Sequence, residues 1–312
     1  MTLRLLILAL VLLAAGALAA CAPLANMRAE EWRWAAADPE PGAGPPASAP
    51  RVRVFVAPEF AELMRRLEPR YEAEAGVDLE LVFDAHLDLR AAEDQLILRV
   101  ARGGRGAAPD LLLLESAARV ADLTHRPRAW APLAVGEVVA VAPAQAMVTP
   151  REMLEGTVPV AMSLERSALG RASRLALERA GAWKTASASV GRFDHADAIC
   201  ESIAHAGEQD PPLDIIGLVY RSAALRAIRA EPDPRRRIAI VGALRSPPDE
   251  PCAHAMAVWT DAGRALGEWL RSPPAQSEMR RLGFAPVAPG SAGSAWREAV
   301  TLDDELLRTG AP

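Results

Sequence analysis

The chain has 312 residues, with 35 Lys and Arg set against 40 Asp and Glu for a formal net charge of −5. Its basic residues are scattered among acids and form no stripe, which excludes nucleic acid as a partner. Lys184 is the sole lysine, a bias of composition that carries no functional signal.

The chain opens with a targeting segment. Met1–Arg4 carries one positive charge, Leu5–Leu13 is almost wholly apolar, and small residues lead into Leu18-Ala19-Ala20-Cys21. The apolar run falls short of the roughly 20 residues that span a bilayer, so residues 1–20 read as a signal peptide. Leu-Ala-Ala-Cys resembles the lipobox of bacterial lipoproteins, in which the cysteine receives a diacylglycerol before cleavage. The resemblance implies that Cys21 is the lipidated first residue of the mature chain. It also implies that the membrane is a partner through this anchor, each buried methylene contributing about 0.8 kcal/mol. Ala22 is not the Asp that resembles an inner-membrane retention signal, so the membrane itself stays open.

Residues 21–50 read as a tether. Ala35–Pro50 is built from Ala, Pro, Gly, Asp, Glu and Ser without apolar periodicity, and cannot bury enough surface to offset its ordering entropy. Trp32 and Trp34 suit either a lipid interface or a solvated arm. About 260 residues follow, enough for two modest lobes or one large domain.

From Arg51 onward strands alternate with helices. Val52–Ala57 is a β-branched strand, and Pro58–Ala75 has helical apolar spacing at Phe60, Leu63, Met64, Leu67 and Tyr71. A strand at Asp78–Phe83, a helix at Leu89–Val100, a glycine-rich loop at Gly103–Gly106, a strand at Asp110–Leu114 and a short helix at Ser116–Leu123 follow. Gly136–Pro143 is again a strand. A second block repeats the alternation, with strands at Val158–Met162, Leu213–Tyr220, Arg237–Val241 and Ala253–Trp259. Its helices are Leu169–Ala180, His195–Ala206, Ser222–Ile228, Ala262–Leu270 with Asp261 as N-cap, and Pro273–Leu282. Such alternation predicts an α/β fold with mainly parallel sheets.

Several segments carry a resemblance in consistent order. Val54-Phe55-Val56-Ala57 runs straight into a helix. Tyr71-Glu72-Ala73-Glu74-Ala75-Gly76-Val77 turns into a strand, and Ala108-Pro109-Asp110-Leu111-Leu112 enters the next. Leu169-Gly170-Arg171-Ala172 starts a helix, and Ile216-Gly217-Leu218-Val219-Tyr220-Arg221-Ser222-Ala223 joins a strand to a helix. Leu270-Arg271-Ser272-Pro273-Pro274-Ala275-Gln276 precedes Gly283-Phe284-Ala285-Pro286. Together, across residues 51–290, they resemble the periplasmic molybdate-binding family, the type II solute-binding proteins of ABC importers. The resemblance implies a two-lobed fold, each lobe a mainly parallel sheet flanked by helices. Lobe one would be residues 51–142 with a return at 249–290, lobe two residues 143–248, and residues 291–312 a C-terminal helix or tail. Gly136–Pro143 and Cys252–Val258 would be hinge strands. A small solute or ion would be held between the lobes by hinge closure and passed to an ABC permease. No bond is broken, no cofactor is called for, and a monomer is expected.

The ligand set departs from that family, whose anions are held by serine hydroxyls and helix-start amides. Glu59 stands where its first serine falls, and Asp84-Ala85-His86 where its serine pair falls. Leu169 and Gly170 at a helix start, and Tyr220 at a strand end, do fit. Glu59, Asp84, His86, His195 and Tyr220 would then face the cleft, a set that suits a metal ion, an organic cation or a polyhydroxyl solute. Glu59 and Asp84 also suit a helix start and a turn, and His86 and His195 suit surface positions beside helix caps. His254 and Cys252 share a strand face expected to be hinge packing. His125 and His205 read as surface residues. Cys200 and Cys252 are open either to a disulfide or to two free thiols.

Enzyme motifs are missing. The sequence holds no Gly-x-Ser-x-Gly, no His-Glu-x-x-His and no dinucleotide or phosphate-loop fingerprint, and Gly103–Gly106 precedes a strand, the wrong order for a phosphate cradle. A transport receptor is the leading expectation, beside a ligand-sensing or structural lipoprotein of the same fold without transport function, or a metal or cation receptor.

Overall fold

The computed structural model describes residues 48–83, 109–117, 120, 123, 126–244, 253–287 and 295–298. The readings of Cys21, Trp32, Trp34, Asp84, His86, the helix at 89–100, the loop at 103–106, His125 and Cys252 lie outside the described residues.

β1 (Arg51–Val56) buries Val52, Val54 and Val56 on one side of the pleat. A single 3-10 turn, Pro58–Phe60, leads into α1 (Ala61–Ala75), which buries Leu63, Met64, Leu67 and Tyr71 and ends on Gly76 at φ 65°, the left-handed conformation that favours glycine. β2 (Asp78–Phe83) lies parallel to β1, as does β3 (Leu111–Leu114) on its other side. β4 (Ala129–Val135) is followed after two residues by β5 (Val138–Pro143).

The next block runs α2 (Pro150–Glu155), β6 (Val160–Ser163), α3 (Ala168–Arg179), α4 (Trp183–Ala186), β7 (Val190–Phe193), α5 (Ala196–Gly207), β8 (Ile216–Tyr220), α6 (Arg221–Ala230) and β9 (Ile238–Leu244). β10 (Ala253–Val258), α7 (Asp261–Leu270), α8 (Pro273–Arg281) and the short pairs β11 (Ala285–Pro286) and β12 (Arg297–Glu298) complete the described chain.

Two sheets result. The first has the order β11-β4-β10-β3-β1-β2, with β12 also on β4; the second has the order β7-β6-β8-β5-β9. Each has its own core. The first gathers Val54, Phe60, Leu63, Leu111, Met256 and Leu266; the second gathers Val139, Met162, Leu177, Ile199, Ile203 and Leu218. Each such side chain contributes roughly 1.5–3 kcal/mol when fully buried. The chain passes from the first sheet to the second at Gly136-Glu137. It returns between β9 and β10 through residues 245–252, which lie outside the described residues.

The two-sheet α/β architecture is as the alternation predicts, but both sheets are mixed. β10 runs antiparallel to β3 and β4, and β5 runs antiparallel to β8 and β9, because strands that enter from the other sheet arrive against the local direction. The sequence reading also had no β4, because Pro132 interrupts it and a proline cannot donate to a ladder. The structure absorbs Pro132 with a register shift: His254 pairs Ala134 and Ala255 pairs Pro132, leaving Leu133 as the extra residue.

Gly136–Pro143 is likewise corrected. The strand begins at Val138, and Gly136 belongs to the crossover. The cap of α7 is Thr260, whose hydroxyl accepts from the Gly263 amide at 3.1 Å, and Asp261 is the first helical residue. α2, α4 and β7 carry too few residues for a periodic pattern. In the tail, Arg297–Glu298 adds to β4 where a helix or loose end was expected. Among the described residues no helix is long and apolar enough to cross a membrane.

Candidate functional site

Side chains from the two sheets meet beside the crossover. Glu59 sits in the turn directly after β1, and Glu115 directly after β3. Both are therefore at carboxyl ends of strands, where open α/β sheets bind ligands. From the second sheet come the start of α3, the first turn of α5 with Asp197, and Arg226 of α6.

Glu59 retains some solvent contact along its length, but its Oε2 is enclosed and has no hydrogen-bond partner. Burial pushes its carboxyl up to about 8, the Glu115 carboxylate adds to the rise, and Arg226 opposes it. The enclosed Glu59 carboxyl therefore keeps its proton at neutral pH. Arg226 is largely buried and is bonded through Nη2 to Asp197 Oδ1. Burial works against its charge, yet Asp197 outweighs this and holds its pKa above the ordinary arginine value. A second tie between the sheets lies nearer the surface, where Glu62 of α1 accepts from Arg229 of α6 at 2.9 Å.

The start of α3 is already occupied. Ser167 caps it by accepting from the Gly170 amide at 2.9 Å, and its own hydroxyl donates to Ser163 Oγ at 2.9 Å. The Ala168 amide faces Glu115 Oε1 at 3.5 Å. Gly170 is required by packing: a Cβ there would lie 2.0 Å from the Leu164 carbonyl oxygen. Leu169 is buried in the second core.

A ring cluster stands at the crossover itself. His254 of β10 is fully buried, and its ring meets Phe60 edge-on at 5.1 Å, Tyr220 at 5.1 Å and Phe284 at 5.6 Å. Its Nδ1 lies 2.9 Å from the Glu115 carbonyl oxygen. A carbonyl can only accept, so Nδ1 carries the proton and Nε2 is the bare acceptor. Burial pushes the imidazole down to about 4, against the opposing pull of the Glu115 carbonyl. Tyr220 ends β8, fully buried, one ring away from Phe60 across His254. Gly136 makes this contact possible, since a Cβ there would lie 2.6 Å from Tyr220 Cε1 and 2.9 Å from His254 Nε2.

Of the residues singled out in the sequence, the structure puts Glu59 among the converging groups, Leu169 and Gly170 at the capped helix start, and Tyr220 in the ring cluster. His195 is exposed and caps α5, its Nδ1 accepting from the Ala198 amide at 3.2 Å. His205 is a surface residue between Glu201 and Glu208. Cys200 is a buried free thiol, pushed up to about 12 by burial and by Asp197. Sequence reasoning missed Glu115, Asp197 and Arg226. Glu115 carried a usable signal, because it follows four leucines of a buried strand just as Tyr220 follows β8; Asp197 and Arg226 carried none.

Comparison with known proteins gives the family and the fold. Residues 52–285 match the family described as bacterial extracellular solute-binding protein. No curated protein sequence matches the chain. Among solved structures, it is similar to a substrate-binding domain assigned to a molybdenum ABC transporter of Clostridium difficile, with TM-score 0.57, 16% identity, and coverage of 76% of this chain and 99% of that one. The periplasmic molybdate-binding protein of Azotobacter vinelandii gives TM-score 0.51 at 16% identity over 76% of this chain and 99% of that one. Iron-bound HitA from Pseudomonas aeruginosa gives TM-score 0.51 at 11% identity over 79% and 89%. At these identities the likeness speaks to fold alone.

Proposed function

Since the chain belongs to the bacterial extracellular solute-binding proteins, a family of binding proteins and not of enzymes, we propose that it is a lipid-anchored receptor that takes a small solute between its two sheets and delivers it to an ABC permease. The observation that carries this reading is the convergence of Glu59 and Glu115 from one sheet with Ala168, Asp197 and Arg226 from the other. A solute seated there touches both halves at once, so its binding energy biases their relative orientation. That coupling of occupancy to shape is what a permease needs in order to read a loaded receptor.

The anchor follows from Leu18-Ala19-Ala20-Cys21, and the Pro- and Ala-rich residues 22–50 would give the folded part reach from the membrane. Asp84 and His86, which follow β2 in the sequence, are proposed to complete the solute site, with Tyr220 setting the ring cluster behind it.

The test is a thermal-shift survey of the full chain against oxyanions, divalent metals, organic cations and sugars, followed by hydrogen exchange with each solute that stabilises. The expected result is a solute that protects amides at both 57–60 and 168–170. A binder that protects one sheet and leaves the other unchanged would remove the receptor reading.

A further inference from the structure

We infer that α6 is a clasp that draws the two halves shut through the chain's own contacts, and so sets how fast a solute exchanges. The inference rests on the receptor reading for the motion it governs, and it adds the device that regulates that motion.

Three observations carry it. First, one stripe of α6 lies against the first half. Arg221, Leu225 and Arg229 are spaced by four residues and share a face of the helix. A Cβ at Gly283, in the turn between α8 and β11, would lie 2.8 Å from Leu225 Cδ1 and 3.2 Å from the Arg221 carbonyl carbon. Gly283 also stands at φ 91°, so a glycine serves there both for conformation and for close approach. Second, at the far end of the stripe, Arg229 Nη2 donates to Glu62 Oε2 of α1 at 2.9 Å. Third, Glu62 has another partner on its own helix. Arg66 donates to Glu62 Oε1 at 2.6 Å through Nη2, and to Glu278 Oε1 at 3.2 Å through Nη1.

The start of α6 sits on the crossover, where Glu137 holds both the amide and the side chain of Arg221. Arg229 lies about 12 Å further along the helix. Its bond to Glu62 therefore joins the halves away from the crossover, where a swing separates them. When that bond parts, Arg66 keeps Glu62 paired and the exposed Arg229 turns to water, so opening strands no charge. A surface pair of this kind shifts an equilibrium by a factor of a few, and salt weakens it. Each of these contacts is made by the chain to itself, so each favours the closed form equally whether or not a solute is held. In a receptor that is mostly closed when empty, equal contributions cancel from the affinity. They remain in the rate, because entry waits on opening.

The experiment is double electron–electron resonance on the full chain without added solute. Spin labels go on Lys184→Cys and Arg280→Cys, both exposed and one on each half, in a chain that also carries Cys200→Ala and Cys252→Ala. The expected result is two distances, with the shorter in the majority at about 20 mM salt and the ratio of short to long falling roughly two- to fivefold at about 0.5 M. Arg229→Gln and Glu62→Gln should each lower the ratio by a similar factor at low salt and remove its dependence on salt, while Arg229→Lys should keep both. Arg66→Gln should raise the ratio, because the open form then leaves Glu62 without this cation. Melting curves check that each variant is folded, and if one of the two glutamine variants at the latch is not, the other decides. A single distance at every salt concentration overturns the inference, as does a majority of the longer distance at low salt. A ratio that Arg229→Gln and Glu62→Gln leave unchanged overturns it too. The receptor reading stands or falls separately, on whether a solute protects both halves in hydrogen exchange.

Discussion

His254 and Glu115 are joined across the first sheet by a 2.9 Å bond from the imidazole Nδ1–H to the Glu115 backbone carbonyl. The same glutamate reaches with its side chain to the Ala168 amide of the second sheet. One residue thus links the crossover ring cluster to the start of α3, and a change in either should be felt at the other.

Gly136→Ala tests that link. The added methyl would press on the Tyr220 ring at 2.6 Å and on His254 Nε2 at 2.9 Å, both fully buried. Neither ring has room to withdraw, so the variant should lose roughly 1–3 kcal/mol of stability. Urea denaturation measures it, and a midpoint equal to the parent's would mean that the crossover yields freely.

Stability should fall between about pH 6.5 and 8 because of Glu59. Its carboxyl is raised from 4.5 to about 8 in the folded chain, so within that window the folded state binds more protons than the unfolded state and stability declines as pH rises. His254 acts in the opposite sense. Lowered from 6.5 to about 4, it costs stability as pH drops below 6.5, and the two slopes offset each other between 4.5 and 6.5. Glu68, pushed up to about 7 by burial and by Glu72 and Asp78, adds to the decline between about pH 4.5 and 7. The difference between the parent and Glu59→Gln isolates the Glu59 share. Denaturation at pH 6.5 and 8 should show a shallower fall in the variant, and equal falls would contradict the enclosed carboxyl.

Molybdate and tungstate should not bind tightly at neutral pH. A carboxylate about 4 Å from a dianion costs roughly 8 kcal/mol at an effective dielectric of about 20, and Glu115 already holds the helix-start position. Calorimetry giving a Kd below about 1 μM for either anion would refute this.

Cys21→Ser should release the protein from the membrane fraction or leave the precursor unprocessed, because a hydroxyl does not take the thioether-linked lipid. Mass spectrometry of the fractionated product reads the outcome. An acylated, membrane-bound variant would show that Leu18-Ala19-Ala20-Cys21 is not the anchor.

The fold was legible where burial imposes a long pattern. α1, α3, α5 and α7 announce themselves through apolar spacing, and β3, β5 and β8 through continuous apolar runs that need both faces covered. β4 was not legible, because what permits Pro132 inside a strand is a bulge opposite β10, a partner more than a hundred residues away. The site divides in the same way. Glu59 and Tyr220 could be found from strand ends, which are local. Arg226 could not, because its helix reads as an ordinary amphipathic surface and its burial is created by Asp197 and by the approach of the first sheet.

Only Gly136 and Glu137 separate β4 from β5, and Glu137 is held at both ends by Arg221: its carbonyl accepts the Arg221 amide at 2.9 Å and its carboxylate accepts from Nε. Two residues contribute four soft dihedrals and reach no further than about 7 Å, so at this strand the halves cannot slide apart. With Glu137 pinned to the second sheet, any rotation of one half against the other at this strand would fall on the bonds of Gly136, as a door turns on a fixed pin. Tyr220 and His254 border Gly136, so a swing would move their rings least, and at the outer edge it would part the exposed bond between Glu62 and Arg229. A solute would enter by that outer edge, and substitutions there should change how fast it enters more than how tightly it is held.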